Sequence, residues 1–422
     1  MVSLSLPQWL ELIDSQHDKN IDLSLDRVQS VFARLFEKKK FPVITVGGTN
    51  GKGSTAAMLE SIYTSAGLKT GLFTSPHILK FNERVRIARA DVPDEQIVKA
   101  FESIENIRGD ITLTYFEYSF LCAYSIFVEE SVDVAILEVG LGGRFDAVNV
   151  VDADCAVLTQ IGIDHVDFLG SDRESIGFEK AGIFRGGDSV AVCGDPNPPR
   201  SVEETAEQVA VKLFILGRDF RFFKGLRDWQ YVSPSGRKIN LNYPQMLGAH
   251  QVQNAATAIT VVDLMSEKLP TGLGAIRDGI LKAHQPARFE VVGLNPLVII
   301  DVAHNVDAVT CMADQLRSAP FDGKTVAIFG VMRDKDFKTI ITNTKSIFDS
   351  WYLCNLPVER AASADEIAGE FEKMGLFNWR AIGSIPEAFE LALAEVGPND
   401  RIVAFGSFHV VSAMKSVVGK TN

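Results

Sequence analysis

The chain has 422 residues, more than one hydrophobic core usually organises, so its length predicts two domains. Hydrophobic residues make up 46% and charged residues 23%, the balance of an ordinary soluble globular protein. A formal net charge of -12 excludes general binding to nucleic acid or acidic membranes, so any phosphate recognition must be local.

The opening residues carry Glu11, Asp14 and Asp18 without a basic segment, unlike a secretion signal. Apolar runs such as 132–137 and 297–300 are too short to span a bilayer. Cys122, Cys155, Cys193, Cys311 and Cys354 are scattered, with no CxxC pair. That pattern predicts buried thiols in a reducing cytoplasm rather than disulfides or zinc ligands.

Residues 1–40 read as two amphipathic helices joined by 19–25. Val43-Ile44-Thr45-Val46 is β-branched and apolar, a buried strand. Gly47-Gly48-Thr49-Asn50-Gly51-Lys52-Gly53-Ser54-Thr55 follows, and 56–62 has helical character. Strand, glycine turn and helix form a phosphate cradle. The glycines let backbone N–H groups approach phosphate oxygens, and the helix N-terminus adds partial positive charge. The spacing departs from the common P-loop: three residues separate Gly47 from Gly51, and Gly53 stands between Lys52 and Ser54. A glycine turn with a surface lysine is the plainer alternative, which the flanking strand and helix disfavour.

Residues 70–73 form the next strand and end in Thr74-Ser75-Pro76-His77. Ligands of open α/β sheets gather at the carboxyl ends of strands, which places Ser75 for chemistry. Asn82-Glu83-Arg84-Val85-Arg86 comes soon after; 94–108 and 115–130 are helical. Residues 132–138 form a buried strand that delivers Glu138, a carboxylate suited to magnesium beside a phosphate loop. A surface acid is the alternative, but Gly140-Leu141-Gly142-Gly143-Arg144 indicates close backbone approach. A strand at 155–161 leads to Gly162-Ile163-Asp164-His165. A lone histidine is more often structural, yet this one ends a strand of the Glu138 sheet. A helix at 174–184 carries Glu179-Lys180-Ala181-Gly182, where composition alone makes Lys180 a solvated lysine.

Strand–helix alternation continues to 216; 220–241 reads as antiparallel strands and 250–269 as a long helix containing Asn254. Pro286-Ala287-Arg288-Phe289 marks a junction dividing 1–286 from 287–422. Strands near 297–302, 324–330, 351–355, 379–382 and 401–406 alternate with helices, the spacing of a second parallel sheet. The expected fold is α/β: a mostly parallel P-loop-type sheet domain, then a smaller Rossmann-like α/β domain.

Seven stretches in order, Gly48–Ser54, Thr74–His77, Asn82–Val85, Leu137–Arg144, Asp164-His165, Glu179–Ile183 and Asp301–Asn305, resemble the folylpolyglutamate synthase family. Within it they look like the bacterial bifunctional dihydrofolate synthase/folylpolyglutamate synthases, of the Mur ligase superfamily. The resemblance runs from about residue 20 to Gly406-Ser407-Phe408. It implies an ATP-dependent amide ligase: a carboxylate attacks the γ-phosphate of ATP, and an amino acid's amine attacks the acyl phosphate. Magnesium and lysine must neutralise the developing charge, and water must be excluded.

By motif match, Thr49, Asn50, Gly51 and Lys52 would bind phosphates, and Asn254, Arg288 and Asp301 the rest of ATP. Ser75, Glu138 and His165 would be magnesium ligands, two ions being implied; the need for a monovalent cation stays open. Lys180 matches the lysine these enzymes carbamylate with CO2. Lys52, Lys180 and His304 are thus the catalytic candidates. His304 and Ser407 match positions facing glutamate, and Arg84 is a partner for its carboxylates. Asp22, Leu23, Ser24 and Leu25, with Thr114, Tyr115, Phe116, Glu117 and Phe145, match the dihydropteroate pocket; an aromatic can stack on a pterin and a carboxylate can accept from its amino groups. Val306 and Ala287 depart from the family, which usually has Pro and Gly there. The implied partners are dihydropteroate, reduced folates, L-glutamate and ATP, with no nucleic acid or membrane, in a cytoplasmic monomer.

Three alternatives stay open. One is a monofunctional folylpolyglutamate synthase. Another is a Mur-type peptide ligase, which should have a domain ahead of the phosphate strand where only about forty residues stand. The third is a nucleotide-binding regulator, which would need the loop but not Ser75, Glu138, His165 and Lys180 together.

Overall fold

The structure, a computed structural model, describes residues 4–19, 21–37 and 39–421. The chain forms two compact units, Met1–Gln245 with Gln251–His284, and Met246–His250 with Gln285–Asn422.

The first unit is built on eight strands: β1 (Val43–Gly47), β2 (Thr70–Phe73), β3 (Val85–Ile87), β4 (Ala90–Asp91), β5 (Val134–Glu138), β6 (Cys155–Leu158), β7 (Val190–Cys193) and β8 (Lys212–Ile215). Their order is β4-β3-β2-β5-β1-β6-β7-β8. All pairs are parallel except the β2-β3-β4 edge. Every residue of β1, β2, β5 and β6 is buried, which is why these strands read as continuous apolar runs rather than alternating ones. The register pairs Val46 with Glu138, so that carboxylate ends its strand level with the start of the glycine turn.

The helix Lys52–Ser65 after the turn is buried along most of its length. The helix Leu273–Lys282 packs on it, and Gly279 makes the approach possible: a Cβ there would lie 2.4 Å from the Ile62 Cα. The helices Leu6–Asp14, Asp26–Leu35, Asp94–Arg108 and Tyr115–Glu129 cluster in the same core. Thr114 and Glu117 form a capping box at the head of the last one.

Strands β9 (Arg221–Lys224), β10 (Asp228–Val232) and β11 (Lys238–Asn242) form the expected antiparallel sheet. Its alternation buries Trp229, Tyr231, Ile239 and Leu241.

The second unit contains β12 (Glu290–Leu294), β13 (Leu297–Ile300), β14 (Thr325–Phe329), β15 (Ser350–Cys354), β16 (Trp379–Ile382) and β17 (Arg401–Phe405), in the order β12-β13-β17-β14-β15-β16. It is parallel apart from β12, an antiparallel edge strand that the sequence pattern did not indicate. β12 escapes period analysis because its residues are half-buried or exposed along its whole length.

Several boundaries shift. The strand expected at 132–138 begins at Val134, the helix at 174–184 is Arg173–Ala181, and the helix at 250–269 ends at Leu264. In the last case the chain tightens into a turn in which Leu269 N donates to Met265 O at 2.8 Å. Four cysteines are buried as free thiols, whereas Cys311 is half-buried. Among the described residues no helix is long and apolar enough to cross a membrane.

Candidate active site

The glycine turn is held from the strand beside it. Thr159, just past β6, donates its hydroxyl to Asn50 O (2.7 Å) and Gly47 O (3.2 Å), and Thr49 N donates to Gln160 O (2.7 Å). Gly48 has φ 136°, and a Cβ on it would lie 1.9 Å from Thr159 Oγ1. Gly51 has φ 91° and faces Asn254, whose Oδ1 would be 2.6 Å from a Cβ. The glycines are therefore required by backbone geometry and by close approach together.

The expected partner Asn254 thus lies against the turn, supported by Gln251. Asn254 Nδ2 donates to Gln251 Oε1 (3.0 Å), and Gln251 Nε2 reaches Ser54 Oγ (3.4 Å). Gln251 and Thr159 escaped the sequence reading. Gln251 had a signal, since it sits three residues before Asn254 on one helix face.

Two lysines converge on the turn. Lys52 Nζ donates to Gly48 O (3.2 Å) and Thr49 O (3.3 Å). Lys180, 4% exposed, donates to Gly48 O at 3.0 Å. Lys180 is therefore not the solvated helix lysine that composition favours. Burial, with the Lys52 charge adding to it, brings its pKa down to about 7; Asp164 and Asp146 pull the other way. Asp146 is buried, accepts from Leu141 N (2.9 Å) and Val148 N (3.1 Å), and is pushed up to about 6 by burial. It too escaped the sequence reading, although it stands two residues after the Gly140–Arg144 run.

Glu138 is buried at the end of β5; the Thr74 hydroxyl donates to it and Ser75 N lies 3.4 Å from its Oε2. Ser75 and Glu138 thus come together at adjacent strand ends. His165 does not end a strand. β6 stops at Leu158, because Thr159 turns to the phosphate loop and Ile161 N bonds Asp195 (3.0 Å) instead of a neighbouring strand. His165 instead starts the short helix Val166–Leu169 with a left-handed backbone, φ 52°, and an exposed side chain. Among the described residues no three His, Cys, Asp or Glu side chains make a metal-holding group. The expected set contains just two such types, Glu138 and His165, beside Ser75.

Arg84 is buried, donates Nε to His77 Nδ1 (2.8 Å) and lies over the rings of Tyr115 (5.3 Å) and Phe81 (5.8 Å). Burial, then the Arg84 charge, brings His77 down to about 4, so it accepts as a neutral imidazole. Arg84 is drawn electrostatically to Glu138 as well.

The pocket candidates are joined by Arg27, another residue not singled out from sequence. Its guanidinium contacts Asp22 Oδ2 (3.2 Å) and Glu117 Oε1 (3.2 Å). Glu117 Oε2 accepts from Thr114 N (2.7 Å), so this carboxylate serves the helix cap and Arg27. Leu23, Ser24 and Leu25 are half-buried beside Asp22. The Phe116 ring covers Gly140, where a Cβ would lie 2.7 Å from it, and Phe145 is 45% exposed.

In the second unit Asp301 sits just past β13. It accepts from Ala303 N (2.7 Å) and Phe289 N (2.8 Å); burial raises its pKa and Arg288 opposes this. His304 Nδ1 lies 2.7 Å from Val302 O, and its ring is 6.1 Å from that of Phe408. Ser407 is buried one residue away, and Gly406 N donates to Ala303 O (2.9 Å), so the ends of β13 and β17 meet there. The two departures from the family fall at special positions. Ala287 is buried in the left-handed region, φ 60°, and Val306 is the first residue of the helix Val306–Ser318. Glycine and proline suit those respective sites.

A mostly parallel sheet with a glycine turn, two lysines on its Gly48 carbonyl and a strand-end carboxylate, followed by a second α/β unit, defines a Mur-type ligase. Residues 46–262 match the Mur ligase middle domain and 287–408 the Mur ligase glutamate ligase domain. The chain belongs to the dihydrofolate synthase/folylpolyglutamate synthase family. It is 41% identical to the Escherichia coli (strain K12) dihydrofolate synthase/folylpolyglutamate synthase, over 98% of this chain and 95% of that one. The structure of E. coli FolC in complex with DHPP and ADP superposes with TM-score 0.93 at 40% identity, covering 99% of each chain. A bifunctional folylpolyglutamate synthase/dihydrofolate synthase with Mn, AMPPNP and L-glutamate bound gives TM-score 0.91 at 38% identity, covering 99% of this chain and 98% of that one.

Proposed function

We propose that this chain is an ATP-dependent ligase that adds L-glutamate to dihydropteroate, making dihydrofolate, and to reduced folates, extending their glutamate tails. One observation carries the reading: Lys180, Lys52 and the glycine turn meet at Gly48 O, in the sheet whose adjacent strand ends present Glu138 and Ser75. A regulator needs the turn but has no use for a second, buried lysine against it.

In this reading Thr49, Asn50, Gly51 and Lys52 bind the phosphates of ATP, with Asn254, Arg288 and Asp301 binding the nucleotide elsewhere. The substrate carboxylate attacks the γ-phosphorus and ADP leaves, giving an acyl phosphate. The amine of glutamate then attacks the acyl carbon and inorganic phosphate leaves. Lys52 stabilises charge on the transferring phosphoryl group. His304 and Ser407 face the incoming glutamate, whose carboxylates Arg84 pairs.

The donors fit a divalent cation: Glu138 is a buried carboxylate beside Ser75, and hard oxygen ligands suit magnesium. Ser75, Glu138 and His165 would hold magnesium, with a second ion at a carbamylated Lys180. Bound magnesium would neutralise the phosphate oxygens. The lowered pKa of Lys180 supports the carbamate, because only the neutral amine adds CO2, releasing one proton to give an anionic carbamate. Asp22, Leu23, Ser24, Leu25, Thr114, Tyr115, Phe116, Glu117 and Phe145 form the dihydropteroate pocket. A monovalent cation, a monomeric state and a cytoplasmic location complete the proposal, as does a division of work between 1–286 and 287–422.

The test is a product assay with ATP, glutamate and either dihydropteroate or a reduced folate. Formation of both products with stoichiometric ADP and phosphate is expected. Extension of folates without dihydrofolate synthesis would make the chain monofunctional, and ATP turnover with neither acid would overturn the proposal.

A further inference from the structure

The two segments assigned to the dihydropteroate pocket lie about ninety residues apart in sequence, and one side chain ties them together. Arg27 is the second residue of the helix Asp26–Leu35. Its Nη1 lies 3.2 Å from Asp22 Oδ2; its Nη2 lies 3.2 Å from Glu117 Oε1 and 3.3 Å from the Asp22 main-chain oxygen. The Glu117 end is anchored: Glu117 is 4% exposed and caps the helix Tyr115–Glu129 through Thr114 N. The Asp22 end belongs to a connection without regular structure.

The fork therefore holds Asp22 relative to Thr114 and Phe116; His17 Nε2 (3.8 Å) and Lys19 Nζ (3.9 Å) also approach Asp22 Oδ2, but Arg27 at 3.2 Å is nearer and alone of the three is tied to Glu117 as well. A planar guanidinium can do this because its donors are set in one rigid plane, whereas lysine offers a single ammonium point. Arg27 Nε is buried without a hydrogen-bond partner, a cost that the two carboxylate contacts must outweigh. Arg27 itself is thus committed to protein groups. Asp22 is the pocket carboxylate that Arg27 orients, while Glu117 is consumed as the anchor.

Resting on the pocket assignment above, we propose that Arg27 is a positioning residue for the pterin: it aims Asp22 at the ring's adjacent N–H donors. A carboxylate aimed by a rigid fork matches two parallel donors, so recognition depends on Arg27 although it touches neither substrate nor reacting atoms.

The experiment measures dihydrofolate synthesis by Arg27→Gln, Arg27→Lys, Asp22→Asn and the Arg27→Gln/Asp22→Asn double variant in the full chain. Arg27→Gln is expected to raise the KM for dihydropteroate about tenfold, as for loss of one well-placed charged contact, with kcat and the KM values of ATP and glutamate unmoved. Arg27→Lys should recover part of that loss. The double variant should be no worse than Asp22→Asn, because the two residues act as one unit. Additive losses, or a fall in kcat with every KM rising, would mean a merely structural role and overturn the proposal. Should Arg27→Gln fail to fold, Arg27→Lys and its double variant with Asp22→Asn are read by the same criteria. If Asp22→Asn leaves the dihydropteroate KM unchanged, the pocket assignment fails, and the role of Arg27 with it. If Asp22→Asn raises that KM and Arg27→Gln does not, the role of Arg27 alone fails.

Discussion

Lys180 Nζ donates a 3.0 Å hydrogen bond to the carbonyl oxygen of Gly48, joining a helix to a glycine turn 132 residues earlier in the chain. The contact places a buried amine with a pKa near 7 directly against the glycine turn.

The first prediction follows from that pKa. Its folded-state value of about 7 lies below the ordinary 10.5, with burial as the main cause and Lys52 as the second. Between those values the unfolded chain holds a proton that the folded chain lacks. The burial penalty is therefore full below the lower value and is relieved as pH rises through the window. Carbamylation needs the neutral amine, so incorporation of labelled CO2 should climb as pH rises through about 7. Lys180→Ala should take up no label and lose ligation, and short carboxylic acids should restore part of it. An active enzyme with an unmodified Lys180 by mass measurement would defeat the carbamate.

Lys52→Ala should abolish both ligations, a loss of about 2–4 kcal/mol in transition-state stabilisation. The turn should survive, because Thr159 holds its carbonyls independently. Rates of both reactions with circular dichroism of the variant check this; near-normal turnover by a folded variant contradicts it.

Asp22→Ala should separate the two activities. Dihydropteroate depends on contacts to its pterin end, so dihydrofolate synthesis should fall most, while glutamate addition to a folate survives if that acid sits differently. Measured side by side, equal losses of both reactions would show that Asp22 serves a shared element.

Ala287 offers a stability test. Its left-handed conformation costs roughly 1–2 kcal/mol, which glycine would relieve. Against this stand about 0.8 kcal/mol for the buried methyl and about 0.4–1 kcal/mol of extra unfolded-state entropy. Ala287→Gly should therefore be near neutral in denaturant unfolding. Ala287→Val, β-branched where φ is 60°, should be clearly destabilising. A valine variant as stable as the parent would contradict the strain argument.

Local chemistry alone determined much of this protein. The β-branched run at 43–46 and the glycines after it specify strand and turn, because buried parallel strands are apolar throughout and a phosphate turn needs residues that tolerate positive φ. The same local signals located the strand ends that carry Ser75, Glu138 and Asp301. The seven motifs in order also identified the family, since their residues are read directly. Tertiary structure decided what no window of sequence contains. Thr159 and Gln251 support the turn from 109 and 197 residues away, and Arg27 reaches Glu117 across 90. Lys180 reads as a surface lysine in its own helix and becomes a buried, weakly basic amine because a distant turn and a second lysine enclose it. His165 left its expected strand because Thr159 and Ile161 found partners outside the ladder. Hydrophobic period and turn chemistry are properties of neighbours along the chain; desolvation and hydrogen-bond partnership are properties of neighbours in space, and those set the chemistry of the site.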